Sequence, residues 1–144
     1  PALQRRTFFS GRDINQDARP DIKWYGPELD EPAWSDPELR TISYQLDGAE
    51  AEVRAPKSTR AGSAEASAAG KAQPAYLLFV MLNASWEPKT VKIPDPGPER
   101  TWARVIDTSQ PGGKDFVDEE NRVKLDPQDR YAIAPRSTVV LLAR

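Results

Sequence analysis

Hydrophobic and polar residues alternate along this chain in short runs, and the period of the alternation is two. Residues 41–47 set the pattern: Ile42, Tyr44 and Leu46 fall on one face of a strand, and Asp47-Gly48 closes it. Residues 76–83 are apolar on both faces, as expected of a central strand buried on both sides. Residues 89–93 alternate through Val91 and Ile93 and stop at Pro94-Asp95-Pro96-Gly97-Pro98. Residues 101–108 carry Trp102, Val105 and Ile106. Residues 122–125 form a short alternating run, 130–134 place Tyr131 and Ile133 on one face, and 137–143 are nearly all apolar. Such runs, rich in β-branched and aromatic residues and separated by turn residues, predict an all-β fold. The expected architecture is an antiparallel two-layer β-sandwich of about seven strands over residues 41–144. Leu78, Val80, Leu82, Ile106, Ile133, Val139 and Leu141 are its expected core.

Two segments break the pattern. Residues 54–75 contain no Val, Ile, Leu, Met or aromatic residue. A segment so poor in apolar side chains cannot offset an ordering cost of about 1–2 kcal/mol per residue. It reads as a disordered insertion loop between the first two strands. Residues 1–40 hold Phe8, Phe9, Trp24, Tyr25 and Trp34 but no sustained period, and read as an irregular segment. Within it, residues 3–9 fit the last turn of a helix, ended by Ser10-Gly11-Arg12 with Gly11 in the left-handed conformation. Residues 22–25 fit a short strand. Five aromatic rings in an irregular segment need cover, from the sandwich or from a partner.

Composition narrows the chemistry. The 144 residues include no cysteine and no histidine, which removes disulfides, thiolate sites, the cysteine nucleophile and the commonest general base and metal ligand. Net charge is −2 with both signs interspersed, so nucleic acid is not an expected partner; Arg5, Arg6 and Arg12 read as a solvated cluster. The apolar run 76–82 is too short to span a bilayer, no membrane contact is expected, and the start resembles no signal peptide. A first residue Pro1 in place of methionine fits a segment of a longer protein. Asp115, Asp118, Glu119 and Glu120 form the densest acidic cluster, in a loop with nothing apolar to shift a pKa, and read as solvated. Gly112-Gly113-Lys114 lacks the first glycine and the hydroxyl residue of a phosphate loop. No Asp/Asn ladder around a glycine points to calcium. No catalytic residue, metal or cofactor is therefore expected.

The order of several motifs resembles a known family. Pro1-Ala2-Leu3-Gln4-Arg5-Arg6-Thr7-Phe8-Phe9-Ser10-Gly11-Arg12 is similar to the end of the last barrel helix in isoamylase-type glycogen and starch debranching enzymes of the α-amylase superfamily. Asp21-Ile22-Lys23-Trp24-Tyr25-Gly26 and Pro32-Ala33-Trp34-Ser35-Asp36 resemble the linking segment that follows. Asn83-Ala84-Ser85-Trp86-Glu87-Pro88, residues 102–108 and residues 131–141 resemble strands and loops of the C-terminal domain of these enzymes. Pro32-Ala33-Trp34-Ser35-Asp36 and Asp115-Phe116-Val117 look nearest to cyanobacterial and plant forms.

The resemblance implies a parent glycoside hydrolase whose barrel cleaves α-1,6 branch linkages with retention of configuration. The catalytic carboxylates of that family lie upstream of every motif present here, so none is carried over. Residues 1–40 would be the barrel's tail and a linker, and 41–144 a non-catalytic sandwich packed on the barrel. Phe8, Phe9, Trp24 and Trp34 would dock on that barrel, and without it the chain would self-associate weakly. The alternative role is a carbohydrate-binding module holding α-glucan chains, with Trp86 as the glucan contact. The Trp86 ring is otherwise expected to fold down as a lid on the sandwich edge. Location would be cytoplasmic, or the plastid stroma in a plant.

Overall fold

The computed structural model describes residues 9–13, 16, 18–48 and 76–144, and of Glu119 the backbone alone. The loop expected at 54–75, the helix turn expected ahead of Phe9, and Phe8, Arg5 and Arg6 lie outside these residues.

Among the described residues the chain forms eight strands and no α-helix. They are β1 (Ile22–Tyr25), β2 (Thr41–Asp47), β3 (Leu77–Asn83), β4 (Lys89–Lys92), β5 (Trp102–Asp107), β6 (Val123–Lys124), β7 (Arg130–Ile133) and β8 (Ser137–Ala143). A six-stranded sheet runs in the order β1-β2-β3-β8-β5-β6, and β4 pairs with β7 in a second sheet. Every pairing is antiparallel. The fold is the expected all-β, antiparallel sandwich. It has one strand more than the seven read from 41 onward, because Ile22–Tyr25 joins the large sheet as its edge.

The core lies between the sheets. Leu77, Phe79 and Met81 of β3 pair with Ala143, Leu141 and Val139 of β8, and Trp102 of β5 joins them. Val91, Ile93 and Ile133 close it from the small sheet. Trp102 is fully buried, and its indole N–H donates to the Pro94 carbonyl at 2.7 Å, so the one polar atom of the ring is satisfied. Tyr25 of β1 reaches the same cluster, with its ring 6.1 Å from Phe79.

Two strands cannot cover six. The turn after β1 extends the small layer: the Lys92 N–H donates to the Pro27 carbonyl at 2.8 Å, and Leu29 packs on the core. The register decides which face of β2 turns inward. The register pairs Ser43 with Met81 and Gln45 with Phe79, so the inward face of β2 is Thr41, Ser43, Gln45 and Asp47. Ile42, Tyr44 and Leu46 point outward, in line with Leu82, Val80 and Leu78.

Three expected core residues are accordingly only half-buried. Leu78 and Leu82 sit on the outward face of β3. Ile106 is turned outward by a β-bulge in β5. Arg104 opposes Leu141, Ile106 opposes Val140 and Asp107 opposes Val139, so the alternation slips by one at Val105. Val80, Ile133, Val139 and Leu141 are buried as expected.

Candidate functional site

The outward face of the six-stranded sheet is apolar across four strands. It carries Trp24 on β1, Ile42, Tyr44 and Leu46 on β2, Leu78, Val80 and Leu82 on β3, and Val140 and Leu142 on β8. Leu46, Val80 and Leu142 are buried among their neighbours; the others keep partial exposure. At one rim the rings form a chain. Trp24 lies 4.9 Å from Tyr44 and, edge-on, 5.7 Å from Trp34. Trp24 is 41% exposed and Trp34 59%. A cleft of about 550 Å³ opens beside them, lined in part by Lys23, Leu29, Glu31 and Pro32. The structure thus brings Trp24 and Trp34 together. Phe9 is half-buried, and Phe8 is outside the described residues.

The segment entering this edge is held by one buried carboxylate. Asp21 is fully buried, and its oxygens accept from the Ser10 N–H at 2.9 Å and the Gly11 N–H at 2.8 Å. The Asp21 N–H donates in turn to the Arg12 carbonyl at 3.1 Å. Gly11 has φ +70°, the left-handed conformation expected for it.

Trp86 stands apart from that face. It occupies the loop between β3 and β4, where the chain crosses from one sheet to the other, and is 74% exposed. The expected lid is therefore not formed. The Arg136 guanidinium instead lies 3.2 Å from the centre of its ring. The loop around it is fixed by Asn83, which is buried. The Asn83 amide donates to the Glu87 carbonyl at 2.8 Å and the Ala134 carbonyl at 3.0 Å, while its oxygen accepts the Ser85 N–H at 3.0 Å.

A model of the family described as isoamylase, C-terminal, matches residues 21–142. The chain belongs to this family. No curated protein matches it. In this isoamylase C-terminal domain the match starts one residue before β1 and ends one residue before the last of β8, so it spans both sheets. The family accounts for the sandwich.

One polar cluster of the isoamylase C-terminal domain escaped sequence reasoning. Asp107 is buried between the sheets, where the Tyr131 hydroxyl donates to it at 2.8 Å and the Ser109 hydroxyl at 2.6 Å. The Arg104 guanidinium is 3.7 Å away. Burial pushes the Asp107 carboxyl up, but the bonds from Ser109, Tyr131 and Gln110 outweigh it and hold it below its usual range. Burial, then the Asp107 bond, pushes the Tyr131 hydroxyl up to about 12. A hydroxyl that stays neutral and a carboxylate that stays charged make a fixed cross-sheet tie, with no proton poised to move near pH 7. Among the described residues no group of three or more carboxylates gathers as a metal site.

Proposed function

We propose that this chain is the non-catalytic C-terminal sandwich of an isoamylase-type debranching enzyme, and that it stabilises the catalytic barrel by packing on it. The parent barrel would hydrolyse α-1,6-glucosidic branches of glycogen or starch. The observation that carries the packing role is the outward sheet face. A solvated antiparallel face normally alternates apolar-in with polar-out. Here Ile42, Tyr44, Leu78, Leu82 and Val140 are apolar on the outside as well. Contiguous apolar surface of this kind marks a contact region. Trp24 and Trp34 extend it at the rim, where the chain ahead of Asp21 enters.

The test is binding of the sandwich to the separately produced barrel of its own enzyme. Ile42→Glu puts a charge on the face, beside Leu82, while leaving the inner core untouched. It should weaken binding by roughly tenfold or more, the scale of one unpaired charge in an apolar contact. Unchanged binding by Ile42→Glu and by Trp24→Ala would overturn the packing role.

A further inference from the structure

We propose that Trp86 and Arg136 form a binding platform for α-glucan chains at the end of the sandwich, beside the rim of the apolar sheet face. The inference rests on the reading of the parent as an α-glucan hydrolase for the identity of the sugar. It rests on this chain's own geometry for the site.

Trp86 is the most exposed large apolar residue described. Its exposure does not come from a loose loop. Ser85 on one side is fixed by the Asn83 oxygen, and its carbonyl accepts the Arg136 N–H at 3.1 Å; Glu87 on the other side is fixed through its carbonyl by the Asn83 amide. The Ala84 N–H donates to the Arg40 carbonyl at 2.7 Å. Arg136 holds φ at +50°, uncommon for a residue with a side chain and kept only where the surroundings fix it. In that conformation its guanidinium covers one face of the indole. A ring so exposed and backed on one side has its other face open to water. The ring is thus pre-positioned, and a ligand meeting it forfeits little further conformational freedom.

The surroundings of the ring select the ligand class. A protein contact centres its aromatic anchor in an apolar patch that excludes water. Trp86 has instead the exposed Arg136 against its ring, and along the chain beyond it Glu87 and Lys89, exposed and 3.7 Å apart. A pyranose needs that mixture: a C–H face to lie on the indole and a rim of hydroxyls to meet donors and acceptors. The cation behind the ring fixes its plane.

The chain has four tryptophans, so its indole N–H signals can be followed one by one in a nitrogen-labelled sample. Maltoheptaose at millimolar concentration should shift one of them saturably, and that signal should be the one missing from Trp86→Ala. Arg136→Gly removes the guanidinium and accepts the positive φ without strain; it should weaken the titration roughly two- to fivefold. Trp24→Ala, at the opposite rim of the sheet, should leave the titration unchanged, so that loss of barrel binding and loss of sugar binding are read separately. No shift in the unmodified chain, or a shift that belongs to Trp24 or Trp34, overturns the platform. So does the finding that Trp86→Ala weakens barrel binding while maltoheptaose has no effect, which would make Trp86 an interdomain contact.

Discussion

At the scale of single residues, two polar side chains hold features that hydrophobic pattern could not reveal. Asn83 looks in sequence like the polar end of an apolar strand; in the fold it joins the 84–88 loop to the β7–β8 turn. Asn83→Ala leaves those carbonyls and the Ser85 N–H without it, and should cost about 1–3 kcal/mol in urea unfolding. Tyr131 crosses the sandwich to Asp107, and Tyr131→Phe should cost about 1.5–3 kcal/mol, as for a bond to a charged group. The pH dependence has two sides. The Asp107 carboxyl is held below its usual range, so its contribution is present above about pH 4 and is lost as pH falls through the lower folded value. The Tyr131 hydroxyl is raised to about 12, so its contribution is present below about pH 10 and is lost as pH rises through the folded value. Urea midpoints across pH 8–12 should therefore fall less steeply in Tyr131→Phe. Burial raises Tyr25 and Tyr44 too, and they keep part of the decline.

At the scale of elements, strand positions were legible and strand faces were not. The bounds of β2 and β8 agree with the pattern of apolar residues because Asp47-Gly48 and Pro135-Arg136 punctuate them. At Gly48 a Cβ would come 2.5 Å from the Tyr76 ring, so a larger residue there needs that ring to move aside. Periodicity says which residues share a face but not which face turns inward. On β2 the apolar residues Ile42, Tyr44 and Leu46 turn outward, while Thr41, Ser43, Gln45 and Asp47 turn inward and are buried. The bulge at Val105 was equally silent, because one extra residue changes no composition yet sends Ile106 out and Asp107 in. Trp86 was legible as a ring in a loop, but its exposure depends on Arg136, fifty residues away. The inner face of β8 is the safest reading: Leu141→Ala should cost about 2–5 kcal/mol, measured by denaturant unfolding.

At the scale of the whole molecule, the outward sheet face governs behaviour in solution. Sedimentation velocity on the isolated chain should show weak self-association that rises with concentration and disappears in Ile42→Glu. The purified chain should release no reducing sugar from amylopectin or pullulan beyond trace contamination, since the buried carboxylates of Asp21 and Asp107 are both committed to structural hydrogen bonds. The strand order has a consequence for how the domain is made. β8 lies between β3 and β5, so the earlier strands of the large sheet stay in two unjoined groups until it arrives. A chain growing on the ribosome can zip β1 to β2 and β2 to β3, but has no partner for the far side of β3 until residues 137–143 emerge. The large sheet therefore stays incomplete until β8 is made, with apolar β3 exposed to chaperones in the meantime.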